Sequence, residues 1–465
     1  MAASPPTDTR RAVGVWPRLG EWLRTHQGVI RRIQWIVVAV YLVLLIVPAV
    51  LPLPDSAARL WSDITLFAQF VFWGVWWPFV LLSVMLLGRV WCGLLCPEGA
   101  LSEFASRHGR GRAVPRWIRW GGWPFVAFAA TTVYGQMVSV YQYPAPALLV
   151  LGGSTLAAML VGYFYGRGKR VWCRYLCPVS GVFGLLAKLA PFHYRVDEEA
   201  WRSATRPAGG FRPLNCAALV PIAAMKGGSE CHMCGRCSGF RDAVHLNLRR
   251  PGEEIVEVAG QSARPWETVL ILYGLLGIAL GAFHWSLSPT LVRVKLAIAG
   301  WLVARGVLWP LERSAPWWIL TGYPDRNDVL SLLDGALLVV YILAVAGLMG
   351  TFLAGGLALA SAAAGWSRRR FHHLAQALVP LAGCGVFLGL SALTVTMLRV
   401  EGVTLPWVDG ARAALLIGAW LWSLGLAWRI LGHGGAGGLR RAAGLAIVAV
   451  TATPVTLGWA ALFWP

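Results

Sequence analysis

Arg89-Val90-Trp91-Cys92-Gly93-Leu94-Leu95-Cys96-Pro97 recurs 81 residues later as Arg170-Val171-Trp172-Cys173-Arg174-Tyr175-Leu176-Cys177-Pro178. Each copy follows a pair of apolar runs, 33–54 and 64–88 before the first, 120–141 and 145–166 before the second. A run of roughly 20 apolar residues is the length that crosses a bilayer as a helix. Two crossings return the chain to its starting side, so both copies emerge on the same face, each with two thiols at the same depth. Further apolar runs follow at 267–286, 329–364, 374–397, 411–430 and 441–463. The reading is an all-α polytopic membrane protein of nine spans, with eleven as the alternative; the charge pattern requires 288–328 to contribute an even number of crossings, or 329–364 to split near Gly347 and Gly350. An interfacial helix is expected at 292–310, where Arg293, Lys295 and Arg305 interrupt the apolar pattern, with Trp317, Trp318 and Tyr323 at headgroup level. Four segments result: 1–32 at the N-terminus, 33–190 carrying the repeats, a polar 191–266, and a C-terminal membrane unit over 267–465.

Composition agrees. The chain is 57% hydrophobic and only 13% charged, with 26 Trp among 465 residues, which a soluble globular domain does not approach. Its net charge of +20 could suit nucleic acid, but the arginines cluster in short segments between apolar runs. That is the pattern of cytoplasmic loops facing anionic membrane lipid, and no nucleic-acid partner is expected. Arg10, Arg11, Arg18, Arg24, Arg31 and Arg32 precede the first span and place the N-terminus in the cytoplasm. Arg89 to Arg119 and Arg167 to Arg174 place both cysteine motifs and the polar segment there too, and Pro465 outside it. The polar first thirty residues lack the apolar core of a cleaved signal peptide, so the first span reads as an uncleaved anchor.

Of the nine cysteines, Cys92, Cys96, Cys173, Cys177, Cys216, Cys231, Cys234 and Cys237 lie between apolar runs, and Cys384 lies within one. Pairs this close suit a metal better than a disulfide framework. Thiolates are the soft ligands that iron–sulfur clusters select; zinc is the rival, though its structural sites use shorter spacings in small soluble modules. Cys231-His232-Met233-Cys234-Gly235-Arg236-Cys237 has the ferredoxin spacing, with Gly235 letting the backbone turn close to a cubane. Ser238 to Asp242 follow, so no local Cys-Pro completes the set. Cys216 is the nearest spare thiol and is assigned as the fourth ligand, unless it is inert. The eight loop cysteines then hold two 4Fe–4S clusters, one on Cys92, Cys96, Cys173 and Cys177. The alternative is an exchange in which Cys96 or Cys177 completes the triad's cluster. Arg89, Arg170, Arg174 and Arg236 either compensate cluster charge or anchor the loops to the membrane.

Paired Cys-x-x-x-Cys-Pro loops after helix pairs, then a Cys-x-x-Cys-x-x-Cys segment, resemble the membrane-bound polyferredoxin family over residues 30–260. Its members include NapH-type subunits of periplasmic nitrate reduction, NosR-type proteins of nitrous-oxide reduction and CcoG (FixG/RdxA-type) oxidase accessory proteins. The resemblance implies two 4Fe–4S clusters on the cytoplasmic side of a bacterial inner membrane. It implies an electron relay between the quinone pool or a cytosolic donor and a partner redox protein, rather than a stand-alone enzyme. The chain departs from the pattern in having no second full ferredoxin motif, no N-terminal flavin-binding domain, and additional membrane residues after 266. The competing readings are an assembly or maturation factor for a respiratory metalloenzyme, and a redox-sensing transporter or scaffold. Three features of the C-terminal half stay open. His372, His373 and His284 suit haem or quinone, or merely a headgroup contact. Cys384 between Gly383 and Gly385 suits a helix–helix contact. Asp334 is an acid within an apolar run and so a functional candidate.

Overall fold

The computed structural model describes residues 14–464 apart from 56, 205–210, 212, 213, 263 and 434–436; Arg10, Arg11 and Pro465, on which the orientation argument draws, lie outside the described residues. Eight helices are long and apolar enough to cross a membrane: Gln27–Val50, Ile64–Leu87, Pro144–Tyr165, Pro265–Leu287, Leu332–Ala363, Arg368–Val400, Val408–His433 and Gly438–Ala461. The chain is an all-α multi-pass membrane protein. The expected span at 120–141 is shorter than its apolar run: its helix is Trp123–Met137, 15 residues and about 22 Å long. Both its ends nevertheless reach the two faces of the bundle. Trp120 packs edge-on against Trp266, 5.0 Å between ring centres, where the Pro265 span begins. At the other end the Met137 carbonyl accepts from the Thr321 amide at 2.8 Å. Turns on either side extend this shorter helix toward both faces, beside the eight helices of spanning length among the described residues.

The 32 residues Leu332–Ala363 form one uninterrupted helix, so this run does not split: neither Gly347 nor Gly350 breaks it, and Gly350 instead lets the Tyr273 ring approach. Asp334 is corrected from functional candidate to helix cap. It forms a capping box with Ser331 at the start of this helix and pairs with Lys295, satisfying amides that the first turn leaves open. The interfacial helix begins and ends earlier than expected, at Pro289–Val303. The Ser288 hydroxyl caps its N-terminus by accepting from the Leu291 amide, and a left-handed Gly306 ends the segment that follows.

Loops sort onto two faces. On one, the 138–143 turn meets 318–328, with Ser139 bonded to Thr321 and Tyr143 donating to Asp328 at 2.7 Å. The cysteine loops, the polar segment and residues 365–370 lie on the other, where His373 bonds the Ile255 carbonyl. The polar segment departs from an all-helical expectation: strands Phe192–Val196 and Val244–Leu248 pair antiparallel, with Tyr194 opposite Leu246. Where the repeat half meets the C-terminal half, the buried Lys188 ammonium donates to Glu267 at 2.6 Å and to Gln376 at 3.0 Å. Cys384 is buried, and added methyl groups at Gly383 and Gly385 would meet Leu186 and Trp459, a close helix–helix contact.

Candidate iron–sulfur site

The first repeat leaves its span through Gly88, whose positive φ releases the chain from the helix. A π-helical turn, Trp91–Leu95, then carries Cys92 inward. Cys96 caps the next helix, Pro97–Arg107, its sulfur accepting from the Gly99 amide at 3.3 Å. In the second repeat Val171–Tyr175 is helical, and Ser180–Leu186 begins just after Cys177-Pro178. The Pro97–Arg107 helix lies along the Pro144–Tyr165 span; at Gly162 an added methyl would fall 2.6 Å from the Ser102 carbonyl. This close approach brings the repeats together, and Cys92, Cys96, Cys173 and Cys177 line one cavity of about 160 Å³. That is several times the roughly 30 Å³ of a water molecule.

The cavity's chemistry fits a cluster. Burial pushes the Cys173 thiol up to about 12, with Arg170 opposing. Burial lifts Cys96 and Cys177 well above their ordinary range, helped by Cys173 and Cys92 at Cys96 and by Glu98 and then Cys173 at Cys177. Thiols held as these three are need a cationic centre to become thiolates, which is what iron supplies. Among the described residues no group of three or more His, Cys, Asp or Glu is gathered closely enough to hold a single metal ion. Two buried donors nearby, Arg89 Nε and His232 Nδ1, have no protein partner. Both are groups that cluster sulfurs can engage.

The triad forms a second group. Left-handed Met233 and Gly235 curl its backbone, and the Met233 amide donates to Cys231 sulfur at 3.3 Å. Burial pushes Cys231 up to about 12; Cys234 adds to this, the Met233 amide opposes it, and Cys216 adds a smaller push. Cys237 is raised by burial and then by Cys231, Cys234 and Cys216. Cys216 is the further thiol that acts on both Cys231 and Cys237. Its loop is held by the Arg170 amide on the Ala217 carbonyl, at 2.7 Å, and by Lys169 on the Cys216 carbonyl.

The arginines next to the cysteines turn inward and join the two groups. Arg170, 1% exposed, donates to the Cys92 carbonyl and to Glu103. Arg236, from the triad, donates to both Glu103 oxygens at 2.8 and 3.0 Å. Arg89 donates to Ser180 at 2.9 Å and to the Ser229 carbonyl at 3.1 Å. Arg174 pairs with Glu230 at 3.1 Å. Membrane anchoring does not account for Arg89 and Arg170, which are buried against protein.

Glu103 and the N-terminal helix were missed by sequence reasoning. Glu103 carries no motif, and only the fold brings Arg170 and Arg236 to it, beside its helical neighbour Arg107. The helix Val15–Thr25 had a readable signal: Trp16, Gly20 and Leu23 recur at helical spacing. It covers the triad with Leu23 against Gly235, and Gln27, the first residue of the next helix, donates to the Cys234 carbonyl at 2.9 Å. The histidines are not gathered into a site. His372 bonds Thr268 and His373 the Ile255 carbonyl, while His284 lies in the Pro265–Leu287 span.

Gly93 differs from its repeat counterpart Arg174 for a geometric reason. A methyl group there would lie 1.9 Å from the His232 carbonyl oxygen and 3.0 Å from the Cys234 amide, so the loops of the two cysteine groups meet backbone to backbone. Gly93→Ala is expected to cost visible cluster absorbance and thermal stability together. Arg174→Ala, which removes a partly exposed ion pair, should cost no more than about 1 kcal/mol. Equal stability of wild type and Gly93→Ala would mean that the loops are not in this contact.

Comparison with known proteins follows the same lines. A family of 4Fe–4S binding domains matches the chain twice, at residues 69–115 and 148–196, one match per Cys-x-x-x-Cys-Pro copy. YccM of Escherichia coli strain K12, named as a candidate electron transport protein, is 26% identical over 242 residues, 45% of this chain and 65% of that one. The regulatory protein NosR of Pseudomonas aeruginosa is 26% identical over 184 residues, 35% of this chain and 25% of that protein. Protein NirI of Paracoccus denitrificans is 29% identical over 188 residues, 35% of this chain and 26% of NirI. The chain thus spans less than two thirds of each relative's length. No solved structure matches it.

Proposed function

Because the chain belongs to the membrane-bound 4Fe–4S polyferredoxin family of the NosR and NapH type, we propose that it relays single electrons through two clusters to a partner redox protein. One cluster is held by Cys92, Cys96, Cys173 and Cys177 within the 33–190 unit. The other is held by Cys231, Cys234 and Cys237 of the 191–266 segment together with Cys216. The observation carrying this reading is the direct contact of Gly93 with the His232–Cys234 backbone, which leaves no insulating layer between the two cysteine groups. The clusters supply one-electron chemistry; the protein supplies their distance, burial and surrounding hydrogen bonds.

The quinone pool is the favoured donor over a cytosolic one. An apolar cavity of about 150 Å³, walled by Trp73, Trp77, Phe128 and Phe283, shares Trp77, Thr131 and Phe183 with the four-thiol cavity. It supports entry of a membrane-soluble carrier beside the cluster. Oxidising one quinol releases two electrons and two protons, which matches two one-electron clusters. A short-chain quinol added anaerobically should bleach the visible cluster absorbance of the purified protein. Bleaching by dithionite but not by any quinol would sink the quinone assignment and leave the relay itself standing.

The membrane is the bacterial inner membrane, with the N-terminus and all the cysteine loops in the cytoplasm. Reporter fusions after residues 115, 250 and 370 should all give cytoplasmic signals. A periplasmic signal at 115 or 250 contradicts this orientation.

A further inference from the structure

A groove of about 460 Å³ opens on the cluster face where the Trp123–Met137, Ser180–Leu186 and Pro265–Leu287 helices meet. It has two chemically distinct parts. Arg119, Arg174 and Arg264 stand with Trp120 and Trp266, while Pro124, Leu185 and Leu270 supply apolar surface. Arg89, which also lines the four-thiol cavity, contributes a further guanidinium. Two carboxylates face the groove, and both are engaged: Glu230 by Arg174 at 3.1 Å and Arg264 at 3.8 Å, Glu267 by Lys188 at 2.6 Å and Arg264 at 3.1 Å. Four guanidiniums against two carboxylates leave positive charge in excess, and among the described residues Arg119 has no carboxylate partner.

The place matters as much as the charge. Trp120 and Trp266 stand where two membrane helices begin, the level at which aromatic rings mark the bilayer interface. We infer that this groove is a binding site for one anionic phospholipid, its phosphate held by Arg119 and Arg264 and an acyl chain lying along Leu185 and Leu270. A basic pocket between membrane helices at headgroup depth is a recognised form of lipid site. A free phosphate would use the guanidiniums but leave the apolar floor wet, and a zwitterionic lipid would forgo the excess charge. The inference does not depend on the electron-relay reading.

The test uses the full chain, delipidated in detergent and then incubated with phosphatidylglycerol, phosphatidylcholine or inorganic phosphate. Retained lipid is counted by native mass spectrometry, and cluster absorbance checks folding. Phosphatidylglycerol should be retained and phosphatidylcholine should not, with phosphate failing to displace the bound lipid. R119Q/R264Q should weaken phosphatidylglycerol retention by at least about tenfold, whereas R116Q, an exposed arginine outside the groove, should leave it nearly unchanged. If the double variant loses its cluster absorbance, Arg119→Gln alone carries the comparison. Equal loss in R116Q would reduce the effect to general surface charge. Equal retention of phosphatidylcholine, or displacement by inorganic phosphate, would equally overturn the phospholipid assignment.

Discussion

Anaerobically purified protein should contain about eight iron and eight acid-labile sulfide per chain, and Cys216→Ala should lose about half of each, since a 4Fe–4S cluster takes four cysteine thiolates. The argument rests on the thiol groupings. Cys92, Cys96, Cys173 and Cys177 share a cavity, while Cys216 is the additional thiol acting on Cys231 and Cys237. Removing Cys216 should make the triad's cluster labile and leave the electron paramagnetic resonance signal of the repeat cluster unchanged. Cys177→Ala should do the reverse. If both clusters survive Cys216→Ala, a Cys-Pro cysteine completes the triad's cluster instead and the proposed partition is wrong. Zinc in place of iron would remove the electron-transfer reading altogether.

Replacing Glu103 should have the next largest effect. Its carboxylate is shared by Arg170, Arg236 and Arg107, and Arg170 is almost fully buried. Taking the acid away leaves that guanidinium unpaired inside the protein, which costs about 3–5 kcal/mol. Glu103→Gln keeps the size of the side chain and removes the charge, so guanidinium denaturation followed by cluster absorbance reads the ionic contribution. Arg107→Ala, losing only a partly exposed partner, should cost about 1 kcal/mol or less. The pH dependence has a definite sign. Burial alone would raise the Glu103 pKa, but Arg170 and Arg236 hold it down at about 2. A depressed native pKa stabilises the fold above the unfolded value of about 4.3. That contribution drains away as pH falls through about 2. The gap in stability between wild type and Glu103→Gln should therefore narrow below about pH 4. A gap that stays constant down to about pH 2 would mean that folding does not shift the Glu103 pKa.

Hydropathy and the repeated cysteine motif were enough to read the class of fold, the pairing of apolar runs and the eight loop thiols. These are local properties: helix length, charge at loop ends, and cysteine spacing are all written within about twenty consecutive residues. The Trp123–Met137 helix was read too long, because an apolar run does not report where turns begin. Asp334 was read as an intramembrane acid, because apolar patterning continues past Ser331 and hides the capping box that starts its helix.

What the sequence determined by itself was the all-α membrane class, the common face of the two repeats and the chemistry that sulfur at this spacing selects. The tertiary structure alone decided which thiols share a cavity, that Arg170 and Arg236 converge on Glu103, and that Gly93 touches the triad's backbone. The physical reason is separation along the chain. Glu103 lies 67 residues from Arg170 and 133 from Arg236, so no local propensity or periodicity links them. Their pairing appears only after the helices pack and bury the charges together.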